Sequence, residues 1–548
     1  MPVMPTILRS SSLHSLDPAT AGDAVVIDGG RIEAVGAFAT LRRDHPNAEI
    51  DERFADATLL PGFVEAHAHS MAGGMWQHLY VGYFDNRDPD GRLWPGCRTL
   101  DAVLERLREA EADLDDPDET LRAWGLDPIY FAGERLVAEH LDRVSTTRPI
   151  FVVHASLHLA TVNTALMDRE GIDADTLMDG VPKDGAGHPI GELQELAAMS
   201  LASEGFRGTF RPLMAPDGIN AYGRLARNAG VTTLADLGSG PIASDNIATM
   251  WQQVVNAEDF PARVSVFHNP GQGGPAALDD VAELVFRRRA ESTDKLRFGG
   301  VKFVLDGSIQ GYTARVTEPY VNGKENGLWL IPPDQLVDWI RPVVDAELLL
   351  HVHCNGDQAV DVLLDAFTAA TGGAPPVDHR TTVQHSQVTR HDQYERMAAL
   401  GMCANLFSNH LWYWGDQHVE LTVGPERAAR MNAAATVLGL GIPLSIHCDA
   451  PVTPLGPLHQ AWCAANRQTV SGRVLGPDEC LDVAEALHAI TMGAAHQLRM
   501  EHEVGSITPG KRADFVALDA DPFEVGAAGL RDIGVLGTVL GGRHHPVG

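Results

Sequence analysis

Eight short apolar, β-rich runs set the strongest constraint on how this sequence can fold. Through the second half of the chain each is followed by a polar loop and an alanine- and leucine-rich helical segment. The runs fall at 57–69, 230–238, 262–268, 298–307, 347–354, 380–387, 401–408 and 442–449. Eight is the number of strands that closes a (β/α)8 TIM barrel, an α/β fold that gathers catalytic groups at the C-terminal ends of its strands. At 548 residues the chain is long enough for such a barrel with additions.

The additions are legible in the spacing. Between the first and second runs lies far more chain than one crossover helix needs, which predicts an insertion over 85–228 within a barrel domain of 58–497. The insertion carries its own helical stretch, "LDAVLERLREAEADL", and a strand-like "RPIFVVHAS", and is expected to cover the catalytic mouth. The chain ends, "AVVIDGGRIEAVGAF" and "GSITPGKRADFVALDADP", read as short strands joined by Gly-rich turns. Neither has the apolar length to fold alone, so residues 1–57 and 498–548 are expected to pair into one composite β-sandwich.

Charge narrows the function. Acidic residues outnumber basic ones 73 to 42, a formal net charge of −31. That balance argues against nucleic acid or an anionic membrane surface as a partner, because either would need a basic footprint. Six cysteines with no CxxC pair, no apolar N-terminal core and no long apolar stretch predict a reduced, cytoplasmic protein.

Histidines gather at the ends of the predicted strands. His67 and His69 close the first run, and the two-residue period of a strand points both imidazoles the same way, as half of a metal site requires. His353, His385 and Asp449 end the fifth, sixth and eighth runs, so a barrel would bring four imidazoles and a carboxylate to one mouth. His351 and His447 lie two residues earlier on the same face and read as core or orienting groups. Cys354 and Cys448 flank proposed ligands, but alternation turns them away, into packing.

One lysine, Lys302, interrupts the apolar run "GGVKFVLDGSIQG" near the end of the fourth strand. An ordinary lysine ammonium, with a pKa near 10.4, would repel a divalent cation. Burial and metal charge both favour the neutral amine, the only form that can react with carbon dioxide. The plainer reading is a lysine snorkelling outward or pairing with Asp306.

The segments "LLPGFVEAHAH", "VKFVLDGSIQGYTA", "HVHCNGDQAV", "VQHSQV", "HCDAPV" and "GSITPGKRADFVALD" resemble, in order and spacing, the amidohydrolase superfamily. The likeness is closest to its branch of N-substituted formamide deformylase-like hydrolases. The resemblance implies that His67, His69 and Asp449 bind one metal and His353 and His385 a second, with carboxylated Lys302 bridging them. Zinc is the expected ion, two ions ahead of one. It also implies hydrolysis: the metal acidifies water and polarises a carbonyl, while Asp449 takes the water's proton and delivers it to the departing nitrogen. "HLATVNTALMDREGI" followed by "GELQE" resembles the same branch, which places His158 and Asn163 at the substrate pocket.

"NLFSNHLWYWGDQH" adds His410 and Trp412 as substrate-side candidates within an aromatic cluster suited to a hydrophobic or aryl N-substituent. The expected substrate is therefore a small linear amide such as an N-substituted formamide. A cyclic amidohydrolase, or a deaminase of a nitrogen heterocycle, is the competing enzyme reading. Against the deaminase stands His353-Cys-Asn-Gly-Asp357, where deaminases of the superfamily place a glutamate. A non-catalytic scaffold would be expected to have lost metal ligands, all of which are present here. A homo-oligomer stays open.

Overall fold

The computed structural model describes residues 4–131, 134–238, 242, 244–271, 280–321, 323 and 326–548. All eight predicted runs form strands of one parallel sheet. In chain order these are β1 (Phe63–Ala68), β2 (Val231–Asp236), β3 (Arg263–His268), β4 (Leu296–Val304), β5 (Leu349–Cys354), β6 (Thr382–His385), β7 (Cys403–Leu406) and β8 (Leu444–Ile446). Each strand pairs with its sequence neighbour, and just beyond β8 the Asp449 amide donates to the His67 carbonyl at 3.2 Å, bringing the two ends of the sheet together. The strands are buried almost throughout, as expected of parallel strands covered on both faces.

The crossover helices show why the pattern folds this way. The helix Asp357–Thr371 buries Val360, Leu363, Leu364 and Phe367 at helical spacing and stops at Gly372, whose left-handed φ of 62° ends the helix. It starts at Gly356, where an added Cβ would stand 1.8 Å from the Arg315 carbonyl oxygen. Only glycine fits there.

Strands from both chain ends lie together in one sheet. Thr58–Pro61 pairs antiparallel with Phe515–Leu518, which continues through Val535–Leu540 to Arg543–Pro546. A second sheet holds Thr6–Arg9, Ala24–Asp28, Arg31–Gly36 and Glu49–Asp51, and Leu8, Val25, Leu59, Phe515 and Val539 share the core between the sheets. The sandwich thus takes in residues 58–61, which the sequence reading assigned to the barrel. Arg263 at the start of β3 joins Asp514 through two hydrogen bonds of 2.7 and 3.1 Å, both side chains buried.

A separate compact unit comprises Ser70–Tyr222 with Ala450–Pro454, starting earlier than the predicted insertion at 85. Its five-stranded sheet runs in the order Glu192–Gln194, Leu159–Val162, Ile150–His154, Leu121–Leu126, Leu79–Tyr80. The helix anticipated in "LDAVLERLREAEADL" spans Leu100–Ala112 and is capped by Thr99, whose side chain accepts from the Ala102 amide. Among the described residues no helix is long and apolar enough to cross a membrane.

Candidate metal centre

The C-terminal ends of the barrel strands bring His67, His69, Lys302, His385 and Asp449 together. Asp449 Oδ1 lies 3.2 Å from His67 Nε2 and 3.1 Å from His69 Nε2, and its Oδ2 lies 3.8 Å from His385 Nδ1. Lys302 Nζ is 3.5 Å from His67 Nε2. Burial alone would raise the Asp449 carboxyl; only where His67 and His69 carry protons toward it do their charge and hydrogen bonds outweigh burial and hold it well below the usual carboxylate range. Burial pushes the Lys302 amine down to about 7.

Two of these residues reach the site through unusual backbone. His385 has φ of 69° and Asp449 has φ of 55°, both in the left-handed region that favours glycine. Such a conformation costs about 1–3 kcal/mol and persists only where the surroundings impose it, which is common where side chains must be aimed. In β6 the consequence is specific. Gln384 and His385 are adjacent, yet both serve the barrel interior, because the backbone leaves the strand at His385.

Gln384 organises the layer beneath the site. Its Oε1 accepts from His67 Nδ1 at 2.6 Å and from Asn405 Nδ2 at 2.8 Å, while its Nε2 donates to His351 Nδ1 at 2.8 Å. Ser445 Oγ donates to Asn405 Oδ1 at 2.7 Å and completes the chain. A carbonyl oxygen can only accept, so the single proton of neutral His67 sits on Nδ1 and its Nε2 presents a lone pair. Burial keeps the ring neutral by lowering its pKa well below the ordinary value, and the nearby Lys302 charge adds to this.

That assignment tests whether a metal fits. A nitrogen lone pair and a carboxylate oxygen 3.2 Å apart, with no proton between them, repel unless a cation lies against both. His69 Nδ1 and both ring nitrogens of His385 and His447 are buried without a hydrogen-bond partner among the described residues. Two ligand groupings have the required spacing: His67, His69 and Asp449, and His67, His385 and His447. The donor set fits a divalent ion that accepts imidazole nitrogen.

His447, read from sequence as a core or orienting residue, belongs to the second grouping, and its ring stacks on His67 at 4.5 Å. His353 lies in neither grouping. Its ring centroid is 4.2 Å from that of His385, and its Nε2 is 3.2 Å from the Gly307 oxygen and 3.0 Å from Asn355 Nδ2. Asp306 does not pair with Lys302. It is fully buried and accepts from the amides of Asn355, Gly356 and Arg315 at 2.9, 2.9 and 3.0 Å, tying the loops after β4 and β5 together.

The substrate-side candidates divide. Asn163 caps the helix Thr164–Glu170 and its side chain is fully engaged. Oδ1 accepts from Leu166 and Ile150, and Nδ2 donates to the Ser145 and Arg148 oxygens. No polar atom of Asn163 is left for a substrate, which corrects its assignment to the pocket. His158 Nδ1 meets Glu195 Oε2 at 2.8 Å in the same unit. His410 is buried against Phe407 at 4.5 Å and joins His418 through Nδ1 and Nε2 at 3.0 Å, and Phe407 in turn packs on His447 at 4.7 Å. Trp412 packs edge-on against Tyr413 and His459.

Glu65, Gln384, Asn405 and Ser445 went unremarked in the sequence. Glu65 is two residues before His67 on the same strand face, a spacing that could have revealed it. Buried, it accepts from Cys448 Sγ at 3.1 Å and from the His67 amide at 3.1 Å, and burial raises its pKa to about 7. Cys448 therefore holds a buried carboxylate as well as packing.

An eight-stranded parallel barrel with imidazoles, a carboxylate and a buried lysine at the C-terminal ends of its strands defines the class of metal-dependent barrel hydrolases. Residues 55–544 match the amidohydrolase family, and residues 24–48 match an imidazolonepropionase-like composite domain of bacteria. The N-substituted formamide deformylase of Arthrobacter pascens is 26% identical over 538 residues, 95% of this chain and 94% of the relative. The protein LONG AFTER FAR-RED 3 of Arabidopsis thaliana is also 26% identical, over 95% of this chain and 88% of its own. The solved structure of an uncharacterized metal-dependent hydrolase from Pyrococcus furiosus shares the fold, with a TM-score of 0.69 at 22% identity, covering 94% of this chain and 99% of that one. The chain belongs to the amidohydrolase family and is a metal-dependent hydrolase acting on carbon–nitrogen bonds.

Proposed function

We propose that this hydrolase cleaves a small linear amide, with an N-substituted formamide as the leading substrate class and zinc as the ion. The observation that carries the reading is the Asp449 carboxylate, 3.1 to 3.2 Å from Nε2 of both His69 and His67. It is supported by the likeness to the Arthrobacter pascens deformylase over nearly the full length of both chains.

His67, His69 and Asp449 would hold one ion. His385, with His353 or His447, would hold a second, and Lys302 would lie between them. A bound divalent ion acidifies water and polarises a carbonyl oxygen. Asp449, ionised at neutral pH, accepts the water's proton and passes it to the nitrogen as the carbon–nitrogen bond breaks. Lys302 is carboxylated in this reading. A neutral amine forms the nitrogen–carbon bond to carbon dioxide and loses a proton, and burial favours that neutral form. The resulting carbamate removes the cation–cation repulsion that an ammonium would bring. His410 and Trp412 are retained as substrate-side groups.

The test is a panel of aryl and alkyl formamides, longer acyl amides, cyclic amides and aminated heterocycles offered to zinc-loaded protein. Turnover of linear formamides is expected. Turnover of cyclic amides or heterocycles with none of the linear compounds would overturn the substrate assignment in favour of a cyclic amidohydrolase or deaminase.

A further inference from the structure

At the opposite end of the barrel strands, away from the histidines, lies a pocket of about 350 Å³. It is formed where β3, β4 and β5 begin, and Arg289, Arg297 and Arg499 line it together with Ser265, Ser292 and Phe298. Three guanidiniums share this space.

Two of them form no direct ion pair, although the Asp378 carboxylate is near enough to act on Arg499. Arg289 donates Nε and Nη2 to the Gly299 carbonyl at 3.2 and 2.7 Å, and Arg499 donates Nη2 to the Asp378 carbonyl at 2.9 Å. Neither makes an ion pair with a carboxylate among the described residues. Asp378 directs both carboxylate oxygens at Arg380, at 2.7 and 3.0 Å, and the third pocket arginine, Arg297, pairs with Glu503. Burial and the Arg499 charge both disfavour the charged form of Arg289. In a chain with 73 acidic residues and a net charge of −31, carboxylates are plentiful, so the lack of a direct ion pair at two neighbouring guanidiniums needs a reason.

One donor of the lining is unused. Arg499 Nε is buried with no hydrogen-bond partner among the described residues. Ser265 is buried and lines the pocket. Planar guanidinium forks and a hydroxyl can donate to several oxygens of one phosphate at once.

We propose that this pocket is a binding site for a phosphate group, held by Arg289, Arg499 and Ser265. Phe298, Leu349 and Leu498 give the pocket an apolar wall, and its volume leaves room for a small organic substituent on the phosphate. The inference is independent of the substrate proposed above.

The test titrates full-length zinc-loaded protein with inorganic phosphate at ionic strength matched by sodium chloride, read by calorimetry. Phenyl phosphate runs in parallel, and sodium acetate is the control. Saturable phosphate binding is expected, weakened at least tenfold in Arg289→Gln and in Arg499→Gln and unchanged in the exposed control Arg43→Gln. Because phosphate can also ligate a metal, and because either variant could misfold, the second readout uses the unmodified chain. Phosphate, but not chloride or acetate, should protect Arg289 and Arg499 from phenylglyoxal, followed peptide by peptide in a mass spectrometer. Tighter binding of phenyl phosphate would assign the site to a phosphomonoester, and equal affinity to free phosphate. Absence of saturable binding, or of protection at these two arginines, overturns the proposal.

Discussion

Replacing Gln384 by methionine isolates the contribution of the layer beneath the metal centre without touching a ligand. The change keeps side-chain length and removes three hydrogen bonds: from His67 Nδ1 at 2.6 Å, from Asn405 at 2.8 Å and to His351 at 2.8 Å. His67 then loses the acceptor that fixes its proton on Nδ1 and its lone pair toward Asp449. Loss of such an orienting partner lowers metal affinity about 10–100-fold, or about 1.4–2.7 kcal/mol. Each buried group left unpaired costs stability as well, at about 1–3 kcal/mol. The apo protein would be titrated with zinc against a competing chromophoric chelator, with far-UV circular dichroism checking the fold. Gln384→Glu keeps an acceptor facing His67 and adds negative charge behind the imidazole, so it should restore affinity to the wild-type level. Folded Gln384→Met protein that binds zinc within twofold of wild type would refute the assignment of the His67 proton and the role of Gln384 built on it.

Four further outcomes are expected. Lys302→Met should lose metal and activity, and short carboxylic acids should restore part of both if the lysine works as a carbamate, whereas full activity in the variant would exclude that role. Asp449→Asn should lower turnover about 10²–10⁴-fold through loss of proton transfer, measured by single-turnover kinetics on metal-matched samples. Asp514→Asn removes the buried one of the two carboxylates paired with Arg263 and leaves the half-exposed Asp294, so it should cost less than the about 3–5 kcal/mol of a fully broken buried pair, read as a drop in thermal midpoint. His154 and His459 are pushed down to about 4 by burial, against about 6.5 in the unfolded chain, so stability is level above pH 6.5 and is lost as pH falls toward 4. Each should cost about 2 kcal/mol at pH 5. Denaturant midpoints equal at pH 7.5 and pH 5 would contradict this, and His154→Gln should flatten the dependence.

The barrel was legible because its signal is repetitive. Each strand is a short apolar run and each connection a helix, so eight weak local patterns reinforce one another. Alternation was the basis for turning His67 and His69 to one face, and position near the end of the fourth strand for placing Lys302. At β6 a strict two-residue period could not face both Gln384 and His385 inward. The left-handed backbone at His385 does so; histidine is enriched there among non-glycine residues, but the region is so rarely occupied that the preference alone does not signal it. Asn163 misled for another reason. A motif shared with relatives identifies a residue that matters, but a fully hydrogen-bonded helix cap matters to the fold without touching a substrate. The unit holding it begins at Ser70, directly after the second imidazole of the HxH motif, so the sequence boundary at 85 came too late.

The composition of the ligand set bears on which ion the centre selects. The chain has 73 acidic residues, yet each of the two ligand groupings is dominated by imidazole, and Asp449 is the only carboxylate in either. Calcium and magnesium favour shells of oxygen, so a chain this acidic could readily have built one for them. Instead, burial holds His67, His385 and His447 neutral, which leaves nitrogen lone pairs rather than positive charges at the centre. Neutral nitrogen donors with one anionic oxygen suit zinc and its transition-metal neighbours. The same burial that neutralises the imidazoles also favours a neutral Lys302, so a single physical cause prepares both the ligands and the amine. A polar substitution that admitted water to the layer of Gln384, Asn405 and Ser445 would therefore weaken metal binding and, with it, the proposed carboxylation of Lys302.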